Sequence, residues 1–322
     1  NWNPHLPDRM GRENYTIVTE FILLGLTLYP NLEGFFFLMF FLIYSVTLIG
    51  NMAIIMLTSL DSCLQTPMYF FLCNLALLNI CCTSAVVPKM LINFLVTRKT
   101  ISYELCTLQM YTTLFLGAAE CIFLAVMAFD RYVAICYPLH YTTVMNKSIC
   151  ISMAAGSWIT TFLGSVVPLF ALKLPLCGSN IIDHYFCEVP AMLQLVCADT
   201  SVSETAMFIG GIATEIIPFT LILLSYIRII VAILRIASAE GRHKAFSTCS
   251  AHLTAVTIFY TSAMLMYMRS KAQHSPEQDK LISVFYTIIN PMLNPIIYSL
   301  RNKEVKGALL KVLGRSKTSQ EM

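Results

Sequence analysis

The chain has 322 residues, of which 57% are hydrophobic and only 12% are charged. The charged fraction is about half of what a soluble domain carries, so these residues cannot cover a folded surface in water. This composition excludes an ordinary cytosolic enzyme, a disordered chain and a small disulfide-stapled domain. The net charge of +3 is too small to indicate nucleic-acid binding.

Seven apolar stretches are long enough to cross a membrane, because a spanning helix needs about 20 mostly apolar residues. We call them spans one to seven, and they cover about residues 34–58, 68–92, 104–129, 148–170, 203–233, 245–268 and 279–300. The connections between them are short. The sequence therefore predicts an all-α membrane protein, a seven-helix bundle with a short amphipathic helix after span seven. Its predicted parts are an N-terminal segment at 1–33, the bundle at 34–300, and the amphipathic helix with a tail at 301–322.

The charges predict which end of the bundle faces the cytoplasm. The side that holds the N-terminus carries nine cations and eleven acids, whereas the other side carries twelve cations and five acids. An excess of lysine and arginine marks the cytoplasmic side, so the N-terminus is predicted outside and the C-terminus inside. A glycosylation sequon at Asn14 agrees with this topology. The basic, amphipathic residues after 300 predict a helix that lies along the anionic lipid of the inner leaflet.

Four cysteines fall on the predicted outer side: Cys106, Cys177, Cys187 and Cys197. They permit three pairings, and spacing alone does not choose among them. If all four pair, one bond ties Cys106 to the long loop at about 171–202, and the loop then covers the bundle as a lid. Beside Cys187, His184 could be read as a metal ligand. A structural role is the better interpretation, because a cysteine in a disulfide offers no thiolate.

Two acids, Glu120 and Glu215, fall inside predicted spans, where an ionisable group by default indicates function. The chain contains no H-E-x-x-H, no G-x-S-x-G and no phosphate-binding glycine loop. An intramembrane enzyme is therefore disfavoured. A transporter or channel is the other alternative, and the lack of an internal repeat speaks against it.

Several motifs at specific places in the spans point to one family. They are GN at 50–51, PMYFFL at 67–72, MAFDRYVAIC at 127–136, KAFSTC at 244–249 and PMLNPIIY at 291–298. Together they resemble the olfactory receptors of the rhodopsin-like G-protein-coupled class, over about residues 14–310. The PMYFFL and KAFSTC strings are the ones most specific to the olfactory branch.

This resemblance implies an odorant pocket in the outer half of the bundle, beneath the long loop. By matching positions, its residues are Thr113, Leu114, Gly117, Ala118, Gly210, Thr214, Tyr260, Met264, Tyr267, Val284 and Thr287. The alternative for each residue is helix–helix packing. The set is mostly apolar or hydroxyl-bearing, which suits a small volatile ligand held by burial and one or two hydrogen bonds. The resemblance also implies disulfides between Cys106 and Cys187 and between Cys177 and Cys197.

The resemblance further implies that odorant binding activates a stimulatory, olfactory-type G protein, which raises cyclic AMP. It also implies a location in the plasma membrane of olfactory neuron cilia and a function that needs no cofactor or metal. The residues expected to serve coupling and activation are Asp130, Arg131, Tyr132, Tyr226, Asn294, Pro295 and Tyr298. A polar core is expected from Asn51, Asn79, Glu120 and Asn290. Asn79 replaces the family's usual aspartate, which makes sodium binding there doubtful. A non-olfactory receptor for an amine or peptide is the alternative within the class, but Thr113 and its neighbours offer no acid.

Overall fold

The structure, a computed structural model, describes residues 18–26, 30–166, 179–196, 205, 209–267, 275–301, 305 and 307. Within these residues seven helices are long and apolar enough to cross a membrane. Each of them overlaps one of the predicted spans. The predicted seven-helix bundle is therefore confirmed.

The helices of the spans, in chain order, are Glu33–Leu60, Pro67–Leu95, Tyr103–Cys136, Lys147–Thr161, Ile217–Leu234, Ala239–Tyr267 and the two parts of span seven, Pro276–Val284 and Asn290–Arg301. Spans four, five and seven each contain one π-helical turn, at Phe162–Val166, Ile212–Ile216 and Phe285–Ile289. Two short α-helices lie between spans, at Tyr141–Val144 and Val189–Leu193. Short 3-10 turns lie at Pro30–Leu32, Ser62–Leu64 and Pro138–His140.

Local capping determines where several helices begin. The side chain of Ser102 accepts a hydrogen bond from the backbone N–H of Leu105 (3.3 Å), and Asn146 accepts one from Ile149 (3.0 Å). These side chains satisfy backbone donors that have no partner within the helix. Spans two and seven instead begin with a proline in the first turn, where its missing N–H costs nothing.

The apolar residues divide into a packed core and a lipid-facing surface. Phe71, Leu75 and Phe123 are fully buried between helices. In contrast, Phe35 and Ile49 of span one are 63% and 71% exposed. A soluble protein does not present such a continuous apolar surface, so these side chains contact lipid.

Spans one and seven approach each other closely at Gly50. A Cβ atom at this position would lie 2.9 Å from Cγ of Pro295, which is closer than any real contact. The glycine therefore allows the span-seven proline to pack directly on the backbone of span one.

One end of the bundle carries a small sheet and the disulfide, and we call it the disulfide end. The opposite end carries Arg131, and we call it the Arg131 end. In the sheet, Glu20–Leu23 is the central strand, antiparallel to Thr100–Ser102 and parallel to Ile181–Ile182. Phe21 and Leu23 point inward and are buried. The segment before span one therefore helps to hold the long loop against the bundle.

Candidate ligand site and polar core

The long loop is attached to spans two and three at the disulfide end. Cys106 at the start of span three is bonded to Cys187 of the loop, as the resemblance implied. The backbone N–H of Cys187 donates a hydrogen bond to Oε1 of Gln109 (2.8 Å), and Nε2 of Gln109 donates to the carbonyl of Ala85 (2.7 Å). The disulfide and the hydrogen bond from Cys187 to Gln109 thus fix the loop on span three, and Gln109 in turn links span three to span two.

Two aromatic residues of the loop extend down between the spans. The hydroxyl of Tyr185 lies 3.1 Å from that of Thr287 in span seven. Tyr185 and Phe186 are buried in one apolar cluster with Val284. The structure therefore places the two span-seven residues of the predicted pocket against the loop itself.

The predicted pocket residues of span three line a half-buried face. Thr113 donates its hydroxyl to the carbonyl of Gln109 (2.9 Å), and Leu114 and Gly117 are half-buried. A Cβ atom at Gly117 would meet nothing within 4 Å, so the structure leaves open space beside this glycine. Ala118, by contrast, is buried.

Spans five and six contribute to a second region, deeper in the bundle. Tyr260 donates its hydroxyl to the carbonyl of Cys121 (3.4 Å), and Tyr260 and Met264 line a cavity of about 40 Å³ with Glu215. Glu215 thus faces two of the predicted pocket residues.

The span-five pair lies apart from that cavity. Thr214 is buried and donates its hydroxyl to the carbonyl of Gly210 (3.0 Å). A Cβ atom placed at Gly164 of span four would lie only 2.9 Å from the methyl carbon of Thr214. Thr214 therefore packs against span four.

Some of the predicted features lie outside the described residues. They are Asn14, the Cys177–Cys197 pair, the side chain of Tyr267, and all of the predicted amphipathic helix and tail at 301–322 except residues 301, 305 and 307. These remain predictions.

A chain of hydrogen bonds forms the polar core between spans one, two, three and seven. Asn79 donates to Oδ1 of Asn51 (3.1 Å), and Asn294 donates to Oδ1 of Asn79 (3.3 Å). Oε1 of Glu120 accepts from Asn290 (3.1 Å) and Asn294 (3.4 Å). The structure thus brings together the four predicted core residues, with Asn294 as the link between Asn79 and Glu120. Because each member is buried, removing one leaves its partner with an unsatisfied polar group.

Toward the Arg131 end, a histidine connects three spans. Nε2 of His252 lies 3.0 Å from the carbonyl of Leu124 in span three, and Nδ1 lies 2.7 Å from the hydroxyl of Tyr226 in span five. A carbonyl can only accept, so we assign the imidazole proton to Nε2, and Tyr226 donates to Nδ1. This bridge holds spans three, five and six together in the structure.

Arg131 and Asp130 have different partners in the structure. Asp130 is buried and accepts a hydrogen bond from Tyr141 (2.8 Å). The guanidinium of Arg131 contacts the sulfur of Met68 and, among the described residues, has no carboxylate within salt-bridge distance.

Three further residues predicted for coupling are Tyr132, Pro295 and Tyr298. The hydroxyl of Tyr132 lies 3.4 Å from that of Tyr137, and the buried hydroxyl of Tyr298 has no hydrogen-bond partner within the part of the chain that the structure describes. Pro295 packs on Gly50. The Arg131 end thus contains several polar groups that could change partners.

Comparisons with known proteins identify the family. The sequence model of the olfactory receptors matches residues 40–316. The chain belongs to the olfactory receptor family. It is 52% identical to human Olfactory receptor 10A7 over 302 residues, which cover 94% of this chain and 96% of that protein. It is 49% identical to mouse Olfactory receptor 5M5 over 315 residues, which cover 98% and 99% of the two chains.

The fold of the receptor also matches a solved structure. A crystal structure of squid rhodopsin superimposes with a TM-score of 0.69 over 91% of this chain and 88% of that chain, at 16% identity. The chain is therefore a multi-pass membrane protein with the rhodopsin-like fold, and it is a receptor rather than an enzyme.

Sequence reasoning missed most of the loop's contribution to this receptor. Gln109, Tyr185, Phe186 and Glu188 are all buried at the disulfide end. The signal available was the run HYFCE at 184–188, in which two aromatic residues adjoin a cysteine. Such a run is more apolar than a solvated loop requires, which indicates that it packs against the bundle.

A buried acid and histidine connect this loop to span seven. Nε2 of His184 lies 3.3 Å from Oε1 of Glu188, and the hydroxyl of Tyr286 donates to Oε2 of Glu188 (3.1 Å). Burial raises the pKa of Glu188 to about 8, and burial together with the charge of Lys280 lowers the pKa of His184 to about 3. Both groups are therefore neutral near pH 7, and this contact is a hydrogen bond rather than an ion pair. A separate ion pair joins Lys280 to Asp183 of the loop (2.6 Å).

We expect docking of this loop to weaken as the pH rises from 6.5 to 8. In the docked loop Glu188 keeps its proton up to about pH 8, whereas in an undocked loop it has the ordinary pKa of 4.5 and loses the proton. Rising pH therefore disfavours docking up to about pH 8. His184 acts in the opposite direction between its docked pKa of about 3 and its ordinary 6.5, and the two effects offset each other between pH 4.5 and 6.5. Above pH 6.5 only the Glu188 effect remains, and it amounts to about 2 kcal/mol by pH 8.

Hydrogen exchange of the amides at 181–188, corrected for intrinsic exchange rates, measures this effect. The charged and titratable groups near Glu188 are His184, Asp279, Lys280 and Tyr286. Glu188→Gln should remove the pH dependence above 6.5. Because nothing then offsets His184, protection in this variant should fall as the pH drops below 6.5. Protection in the unmodified receptor that is constant from pH 6.5 to 8 would contradict the assignment of Glu188.

Proposed function

We propose that this receptor binds small, mostly apolar volatile molecules in the half of the bundle at the disulfide end. Binding activates a stimulatory, olfactory-type heterotrimeric G protein at the Arg131 end, which raises cyclic AMP. The N-terminus and the disulfide end face outward, Asn14 carries a glycan, and the C-terminal tail lies on the inner leaflet of the membrane in olfactory cilia.

The hydrogen-bonded bridge from Leu124 through His252 to Tyr226 is the observation that carries this proposal. It holds span six against spans three and five, directly beside a guanidinium that has no acid partner among the described residues. Breaking the hydrogen bond from Tyr226 to His252 would remove the link between spans five and six at this end, while Phe219 and Tyr260 keep the two spans in contact deeper in the bundle. The Arg131 end can therefore exist in two arrangements, and a ligand shifts their populations by its difference in affinity for them.

Contacts at the disulfide end support the ligand half of the proposal. The open space beside Gly117 and the half-buried Thr113 and Leu114 lie on one face of span three. This region offers apolar surface and a hydroxyl without a cation. It suits the apolar part of a small ligand, and each methylene group that is buried there contributes about 0.8 kcal/mol to the binding free energy.

A cyclic AMP reporter, with the olfactory-type G-protein α subunit co-expressed, tests this function against a broad odorant panel. For an active ligand, Thr113→Val, Thr214→Val and Tyr260→Phe are compared with the unmodified receptor. Ile227→Ala is the control, because Ile227 is 57% exposed on the lipid side of span five. We expect potency to fall for at least Thr113→Val or Tyr260→Phe and to be unchanged for the control. A response that neither Thr113→Val nor Tyr260→Phe alters would place the ligand elsewhere.

A further inference from the structure

Glu215 is a carboxyl group in the middle of span five, and no hydrogen-bond or ion-pair partner for it lies within the described ranges of the chain. It belongs to the π turn Ile212–Ile216, one turn before Pro218. Among the described residues it has neither a hydrogen bond nor a salt bridge to any side chain, although it lies in a membrane-spanning helix. The acid of span three differs in this respect, because Glu120 accepts hydrogen bonds from two asparagines. A carboxyl without such partners in an apolar environment needs either a proton or a cation.

The cavity that Glu215 lines has the features of a cation site. Its volume of about 40 Å³ suits the polar head of a small molecule rather than a whole odorant. The rings of Phe219 and Tyr260 form one wall, with their centroids 4.8 Å apart, and Met264 contributes a polarizable sulfur. No lysine, arginine or histidine is among the residues that line it.

Charge and ring geometry together decide which ligand group fits. Aromatic faces attract a desolvated cation by up to about 2 kcal/mol, and they offer no such gain to a hydroxyl or a carbonyl. A carboxylate beside them compensates the remaining charge. The attraction within a buried ion pair is roughly cancelled by the free energy of desolvating the two charges, so the net gain in binding comes from the aromatic rings.

We propose that this cavity receives the amino group of an aliphatic amine odorant, with Glu215 as its counter-ion. The inference rests on the proposed ligand-binding function and specifies the class of ligand. A neutral volatile amine enters, its nitrogen lone pair takes the proton of the Glu215 carboxyl, one O–H bond breaks and one N–H bond forms. The resulting ammonium lies between the carboxylate and the rings of Phe219 and Tyr260. The alkyl chain extends along span three from Cys121, which lines the cavity, toward the open space beside Gly117 one helical turn away.

The position of Glu215 depends on the π turn. This turn contains Glu215 and ends just before the helix Ile217–Leu234. Such single turns are frequent at functional sites, because they change which side chains face the bundle. Thr214, the preceding residue, packs against span four, and Glu215 faces Tyr260 and Met264.

A matched series of n-alkylamines, n-alkanols and n-alkyl ketones of equal chain length tests this inference. The unmodified receptor, Glu215→Gln and Glu215→Asp are compared in the cyclic AMP reporter, with surface expression measured for each. We expect amines to be the most potent members. Glu215→Gln should weaken them by about 30-fold or more, the lower limit when one partner of a buried ion pair is removed. Glu215→Asp should retain part of the amine response, and responses to alkanols and ketones should change little.

Two results would overturn the assignment of Glu215 while leaving the proposed function intact. One is an amine response that Glu215→Gln does not alter, and the other is a receptor that responds only to uncharged members of the series. If the surface-expressed receptor responds to no odorant, the proposed function fails, and thermal stabilisation of the purified receptor by hexylamine decides the remaining question. A stabilisation that Glu215→Gln abolishes supports the site, and the absence of any stabilisation contradicts it.

Discussion

Replacing Arg131 by alanine is expected to abolish odorant-driven cyclic AMP production while the receptor still reaches the cell surface. The guanidinium has no carboxylate partner among the described residues, so its donors are available to a bound protein. The last carbonyls of a helix lack hydrogen-bond donors and lie at the negative end of its dipole. A guanidinium at the Arg131 end therefore suits the C-terminus of a G-protein helix.

Folding should survive this substitution for a structural reason. Asp130 is hydrogen-bonded to Tyr141, so removing Arg131 does not leave the buried carboxyl without a partner. Lys147→Ala is the matched control, because Lys147 is an exposed cation at the same end, at the start of span four. Surface labelling and the maximal cyclic AMP response are measured for both variants. A normal response from Arg131→Ala would refute the role proposed for this residue.

Replacing Cys106 by serine is expected to remove most of the receptor from the cell surface. The disulfide closes a loop of the chain between positions 81 residues apart. In the chain-entropy description, opening a loop of this length costs about 4–5 kcal/mol. The buried contacts around the bond, including Phe21, Ile182 and Met192, would then lose the constraint that holds them together.

The partner cysteine provides an internal check on this prediction. Cys187→Ser should lower surface labelling as much as Cys106→Ser, and the double variant should be no worse than either, because all three lack the same bond. Cys63→Ser is the control, since Cys63 is an exposed free thiol near the Arg131 end. Normal surface levels and odorant responses in Cys106→Ser would show that the loop docks without the bond.

The number and type of helices could be predicted because apolar length is a strong, local signal. The boundaries were less accurate. Span three continues to Cys136 rather than ending near 129, because the charged pair Asp130 and Arg131 ends the apolar run but does not end the helix. The sheet was not predicted, because strands of two to four residues in separate parts of the chain have no periodicity to detect.

Only those parts of the site that family motifs specify could be predicted from the sequence. The Cys106–Cys187 bond and the polar core came from family resemblance, whereas spacing left the pairing of the cysteines open. The environment of Glu188 could not be predicted, because it depends on how the loop meets Ser283 and Tyr286 about 95 residues later. The cavity of Glu215 likewise depends on long-range packing, and the residues of span five alone do not show which direction this carboxyl faces.

The π turns in spans four, five and seven also bear on how such receptors diverge. A π turn contains one residue more than the α turn that it replaces, and each added residue advances the helix by about 100°. The π turn absorbs that extra residue, so losing a single codon at 212–216 or 285–289 would restore an α turn and leave the helix on either side in register. Only the side chains of the turn itself, such as Glu215, would then face different neighbours. Two genes with nearly the same coding sequence could in this way acquire distinct odorant repertoires through one insertion or deletion.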